Sequence, residues 1–161
     1  MPRLTALIHT QDDGLRLGRC LETLHPCDEF LVVDHGSRDR TAAVAREYGA
    51  KVVAAASGLS AGEYAKRHGA EWILCMDPHE SMTEGLAATL FEWKLRSLES
   101  VAHGHAFSVF LREETAHGWC KEAGAFVRVV PAAWHLWDGF FPAENVSAQP
   151  LDGELLRFQF P

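Results

Sequence analysis

The chain has 161 residues, 47% of them hydrophobic and 23% charged, which suits one globular domain with its own core and little more. Fifteen Lys and Arg against 22 Asp and Glu give a net charge of −7, which excludes a nucleic-acid binder that works by broad electrostatic attraction. An acidic chain that handles phosphates needs a metal ion or helix amino termini to hold them.

The first predicted strand is Leu4 to His9, which runs into Thr10-Gln11-Asp12-Asp13. Asp12-Asp13-Gly14 breaks the strand and caps a helix whose stripe is Leu17, Cys20, Leu21 and Leu24. A turn at His25-Pro26-Cys27-Asp28 leads to Phe30-Leu31-Val32-Val33, four apolar residues that read as a strand buried on both faces of a parallel sheet. That strand ends in Asp34, then Gly36 and Ser37, and a helix follows with Thr41, Val44, Ala45 and Tyr48 on one face. Gly49 closes this helix, Lys51 to Ala55 is a weaker strand, and a short helix runs from Ser57-Gly58 to near Gly69. Trp72-Ile73-Leu74-Cys75-Met76 is the next strand and ends in Asp77.

A longer helix is expected from about Thr83 to Ser100, turning Leu86, Leu90, Phe91, Leu95 and Leu98 inward. Strands are expected at 105–111 and 125–130 around a polar loop at 112–118, with His103-Gly104-His105 at the surface. Beyond Pro131 the chain reads as aromatic and irregular, with Trp134, Trp137, Phe140 and Phe141 covering the sheet edge as core rather than stacking a sugar. The order β-α-β-α-β-α-β through residue 76 predicts an α/β fold, a mostly parallel sheet with helices on both faces and a short mixed carboxy-terminal part.

Cys20, Cys27, Cys75 and Cys120 form no CxxC pair and are expected to be reduced packing residues. With no basic, apolar leader and no apolar run long enough to span a bilayer, a cytoplasmic protein is expected, and the Asn145-Val146-Ser147 sequon carries no sugar. Three strands bring carboxylates to one rim, Asp12 and Asp13, Asp34, and Asp77; in open α/β sheets that rim is where ligands bind. The bland alternative for Asp34 is a turn Asp that holds nearby backbone N–H groups.

Leu31-Val32-Val33-Asp34-His35-Gly36-Ser37-Arg38-Asp39-Arg40-Thr41, with Ala45 to Val52 after it, resembles the nucleotide-binding segment of family 2 glycosyltransferases, which have the GT-A fold. Cys20 to Leu24 with Asp28-Glu29, and Glu71 to Asp77, fit the same pattern in the same order over roughly residues 3–82. Arg128-Val129-Val130, Trp137-Asp138-Gly139 and Glu144 resemble the carboxy-terminal motif of the bacterial lipopolysaccharide-core and capsule subgroup. The resemblance implies one GT-A-like domain over 1–161, with a nucleotide-binding half at 1–82 and a shortened acceptor-side half at 83–161.

It also implies an inverting transfer of a sugar from a nucleotide diphosphate, of UDP type, to a glycan or lipid-linked acceptor in bacterial cell-envelope glycan synthesis. Thr10, Gln11, Asp12, Asp34, Gly36, Ser37 and Asp77 are the nucleotide-binding candidates. Asp77 and His79, in Asp77-Pro78-His79-Glu80, stand at the family's DxD motif and are the candidate ligands of a divalent cation, Mn²⁺ preferred over Mg²⁺ because one ligand is an imidazole. Glu144, in an aromatic neighbourhood, is the candidate general base, with Asp138 in reserve. The reading leaves room for peripheral membrane association and for a homodimer. Two rivals stand beside it: a degenerate relative that binds a nucleotide or partner without catalysis, and a metal-dependent hydrolase using His9, His35 and His79.

Overall fold

The computed structural model describes residues 2–96 and 105–161. In chain order the elements are β1 (Leu4–Thr10), α1 (Leu17–Glu22), β2 (Glu29–Asp34), α2 (Thr41–Glu47), β3 (Lys51–Ala54), α3 (Glu63–Arg67), β4 (Trp72–Met76) and β5 (Glu80–Met82). There follow α4 (Glu84–Leu95), β6 (Ala106–Thr115), β7 (Gly118–Trp119), β8 (Gly124–Pro131), β9 (Trp137–Asp138), β10 (Phe141–Pro142) and β11 (Ala148–Arg157). The main sheet has the order β3-β2-β1-β4-β8-β6-β11-β5, with β7 on the end of β6, and β9–β10 is a separate two-stranded ribbon.

The first four strands are wholly parallel, and β8 enters antiparallel against β4. This is the α/β class expected from the sequence, a parallel amino-terminal half and a short mixed remainder. Its cause is legible in β1, every residue of which is buried. Leu4, Ala6 and Ile8 join one core cluster with residues of α1, α2 and α4, while Leu7 joins a second with Tyr64 and Ala65 of α3. Both faces of the strand are therefore covered, as an apolar run without alternation demands.

Helix α4 begins as predicted, with the Thr83 hydroxyl accepting the Leu86 N–H at 3.3 Å. It ends at Leu95, and Leu98 and Ser100 of the predicted helix, like His103, lie outside the described residues. Its inward face is corrected: Leu86, Leu90, Trp93 and Lys94 are buried, whereas Phe91 is 46% and Leu95 71% exposed. The indole of Trp93 packs edge-on to Trp72, and the Lys94 ammonium reaches the Asp28 carboxylate at 2.8 Å, so two large residues displace the expected stripe. The polar loop expected at 112–118 is in fact the end of β6, a tight turn and β7. The carboxy-terminal segment, expected to be irregular, carries β9, β10 and the ten-residue β11.

The four cysteines are free, as expected, and burial pushes the thiols of Cys27 and Cys75 up to about 12. Among the described residues, no helix is long and apolar enough to cross a membrane.

Candidate functional site

The carboxyl ends of β1, β2 and β4 lie side by side, with Thr10 registered against Asp34 and Ile8 against Met76. Between them is a 310 Å³ crevice lined by Thr10, Gln11, Asp13, His35, Asp77 and His79, among others. Asp77 borders this crevice, and Asp34 ends the strand on the other side of β1.

The rim carboxylates have different tasks. Asp34 accepts the backbone N–H and the hydroxyl of Ser37, which closes the turn after β2, and it does not line the crevice. Gly36, at φ +80, makes that turn possible. Asp12 ties two loops together: its own N–H donates to the Ser37 hydroxyl, and its carboxylate accepts the Arg38 N–H at 2.7 Å. Asp13 was not singled out as a ligand residue in the sequence, yet its carboxylate faces the crevice and accepts from the Thr10 hydroxyl at 2.7 Å.

Asp77 is aimed by its neighbours. Its N–H donates to the buried Glu80 carboxylate at 3.0 Å, and Glu80 is paired through both oxygens with Arg128, at 2.6 and 2.9 Å. Arg128 also donates to the Cys75 carbonyl, and Phe141 packs on its guanidinium, so β4, β8 and β10 converge beneath the Asp77 loop. One Asp77 oxygen accepts both the His79 N–H and the His79 Nδ1–H, at 2.9 and 2.6 Å. The other lies 3.6 Å from the Arg157 guanidinium, and His79 Nε2 is 3.8 Å from Asp13. His79 also borders a second cavity, of 420 Å³, lined by Arg16, Glu113, Glu114 and Arg157.

Among the described residues, no three His, Cys, Asp or Glu side chains form a ready-made metal cage. His9 and His35 share the crevice with His79 but are bonded to each other at 2.8 Å, and the three form no metal cage of the kind expected of a hydrolase. A small divalent ion that bridges a diphosphate takes only one or two ligands from protein, the rest coming from phosphate and water. Asp77 and His79, on one rim of an open crevice, fit that sparser mode.

No family model matches the chain. It is 36% identical over 124 residues to a TPR repeat-containing protein of Synechococcus elongatus, a match over 73% of this chain and 29% of that protein. A shorter match, 42% identical over 45 residues, joins 28% of this chain to 17% of the lipopolysaccharide core biosynthesis glycosyltransferase LpsC of Rhizobium meliloti. The chain thus spans less than a third of either relative. Among solved structures, a mycobacterial protein shares the fold, with TM-score 0.51 and 20% identity over 70% of this chain and 42% of its own. Glucosyl-3-phosphoglycerate synthase from Mycobacterium tuberculosis, solved with Mn²⁺, UDP and glucosyl-3-phosphoglycerate, superposes with TM-score 0.46 and 15% identity over 72% of this chain and 46% of its own.

Beside the crevice lies a larger cavity of 530 Å³, which sequence reasoning missed. Its walls include His9, His35, Ser57, Tyr64, Trp137 and Phe140, and the Phe140 ring stacks on His9 at 4.6 Å with planes 5° apart. The ribbon β9–β10 brings Trp137 and Phe140 to His9 and His35, more than a hundred positions earlier, so no local pattern announces the cavity. Asp138 is exposed between the lining residues Trp137 and Gly139. Glu144 accepts the Val127 N–H through both oxygens, at 3.1 and 3.2 Å.

Gly62, next to the lining residue Ala61, backs the wall residue Trp137 for a steric reason: a Cβ there would meet the Trp137 ring at 2.1 Å. Gly62→Ala is expected to push the indole out and cost about 1–3 kcal/mol by overpacking. A urea melt, with Trp fluorescence reporting the indole's new surroundings, checks both effects.

Proposed function

We propose that this chain is a GT-A-like glycosyltransferase domain that binds a nucleotide-diphosphate sugar of UDP type in the crevice and its neighbouring cavity. The reading takes 1–161 as one domain, with residues 1–82 for the nucleotide and 83–161 for the acceptor. The observation that carries it is the shared opening at the ends of β1, β2 and β4, bordered by Asp13, Asp77 and His79. The glycosyltransferase named among its relatives and the resemblance of the segment around Asp34 to family 2 support it, and the relative's name together with the carboxy-terminal motif at Arg128 to Glu144 favours the lipopolysaccharide-core and capsule type.

In this reading Asp77 and His79 hold the divalent cation, Mn²⁺ rather than Mg²⁺, which offsets the charge that develops on the leaving diphosphate. Thr10, Gln11 and Asp77 border the nucleotide directly. Asp12, Asp34, Gly36 and Ser37 act through the paired loops that shape the rim. In an inverting transfer an acceptor hydroxyl, on a glycan or lipid-linked sugar, attacks the anomeric carbon from the face opposite the diphosphate. The new C–O bond forms as the bond to the diphosphate breaks, and the hydroxyl proton passes to a base. Asp138, exposed and next in the chain to the cavity-lining Trp137, is freer for that task than Glu144, whose oxygens are taken up by Val127.

Calorimetric titration with UDP and UDP-sugars, with and without Mn²⁺, tests the proposal. Binding is expected to strengthen with Mn²⁺, and Asp77→Ala is expected to weaken it roughly tenfold, by removing a charged partner of the diphosphate–cation unit. Affinity unaffected by Mn²⁺ and by Asp77→Ala would leave a nucleotide binder without the proposed chemistry. No affinity at all for nucleotides would end the reading.

A further inference from the structure

The pair His9–His35 joins the floor of the crevice to the wall of the 530 Å³ cavity, since both rings line both spaces. Its protonation pattern follows from one contact. His9 Nε2 is 3.0 Å from the Ala61 carbonyl, which can only accept, so Nε2 carries the hydrogen. Burial is the main cause that pushes the His9 pKa down to about 4; the bond to Ala61 opposes the shift and His35 adds to it. At neutral pH His9 therefore has one hydrogen, and its Nδ1 is a bare acceptor. That Nδ1 faces His35 Nε2 at 2.8 Å, so His35 must donate from Nε2. A neutral His35 is left with a bare Nδ1, which has no protein partner among the described residues, on a half-buried ring at the cavity wall.

The cavity suits a planar ring. Trp137 and Phe140 offer aromatic surface, and the hydroxyls of Ser57 and Ser60 stand at its rim. Resting on the nucleotide-sugar reading above, we infer that His35 Nδ1 accepts a hydrogen bond from the nucleobase in this cavity and selects a base whose ring nitrogen carries hydrogen. Uracil N3–H and guanine N1–H are such donors. The matching ring nitrogens of cytosine and adenine are bare, and two lone pairs would face each other across the contact. Leaving both acceptors unpaired on binding carries the penalty that makes polar recognition selective. His9 is the positioning residue: it touches no base in this scheme and acts by fixing which nitrogen of His35 is free.

Two measurements on the full chain test this. Nitrogen-15 NMR of the imidazoles at pH 8 is expected to show an unprotonated Nδ1 and a protonated Nε2 on both His9 and His35. Titration with UDP, GDP, CDP and ADP is expected to favour UDP or GDP by roughly tenfold or more over CDP and ADP. His35→Phe, at a half-buried position, is expected to erase that ratio, and His35→Gln, whose amide oxygen can accept, to retain part of it. A proton found on His35 Nδ1 would overturn the inference directly, whatever the nucleotide results. Equal affinity for all four nucleotides would overturn it while leaving the nucleotide-sugar reading standing, whereas failure of all four to bind removes both.

Discussion

Replacing Arg128 with methionine is expected to lower the free energy of unfolding by about 3–5 kcal/mol, a large share of the stability of any single domain. The reason is its partner. Glu80 is wholly buried, at 0% exposure, and Arg128 is 4% exposed and meets both Glu80 oxygens. Burial alone would lower the pKa of Arg128, and the Glu80 carboxylate more than reverses this, so the guanidinium stays charged inside the protein. With Arg128 gone, Glu80 keeps a guanidinium only at 3.7 Å, from Arg157. Removing both charges is a different experiment: in Glu80→Gln/Arg128→Met no buried charge is stranded, and much of the loss is expected to return. Urea unfolding of the single and double variants decides it. A single variant within 1 kcal/mol of wild type would mean that water already reaches Glu80. Because Glu80 also accepts the Asp77 N–H, the single variant is expected to loosen the crevice rim before it unfolds the chain.

Acidification is expected to cost about 3 kcal/mol between pH 6.5 and pH 4 through His9 alone. The sign follows from where the proton binds. His9 is 7% exposed, and its pKa falls from 6.5 in the unfolded chain to about 4 in the fold. Above pH 6.5 both states are neutral and the stability is fully present. Between the two values the unfolded chain takes up a proton that the native state refuses, so stability drains away; below pH 4 this contribution levels off. Asp28 acts in a separate window. Burial works against its ionisation, but hydrogen bonds from Lys94 and the Leu4 N–H prevail and hold its pKa below the usual 3.8, so its contribution is lost only as pH falls beneath that value. Thermal melts carried from pH 7 to well below pH 3.8 for wild type and His9→Gln separate the two, since the variant is expected to flatten the upper window only.

The parallel half of the fold was readable because burial on both faces leaves an unmistakable trace: Leu4 to His9, Leu31 to Val33 and Trp72 to Met76 have no polar alternation to confuse with anything else. The remainder hid for identifiable reasons. Strand β11 contains Pro150 and Asp152-Gly153, residues that ordinarily break strands, and the structure absorbs them in an irregularity between Pro150 and Glu154. Gly153, at φ +102, passes so near the Leu86 backbone that a Cβ would sit 2.4 Å from its nitrogen, a contact that no local pattern signals. The site was half legible. Strand ends marked the rim correctly, but Ser37, three residues after Asp34, already hinted that this carboxylate serves its own turn. The stack of Phe140 on His9 depends on the ribbon β9–β10 folding back across the molecule, which spacing in one dimension does not convey.

Strand β11 lies between β6 and β5, parallel to β6 and antiparallel to β5. In a chain made from its amino terminus, β5 therefore emerges from the ribosome long before the segment that will cover its edge, and the Asp77 loop just ahead of β5 waits with it. The crevice is thus completed late in synthesis, and a nascent chain halted before residue 148 would display a bare strand edge suited to capture by chaperones or by another copy of itself.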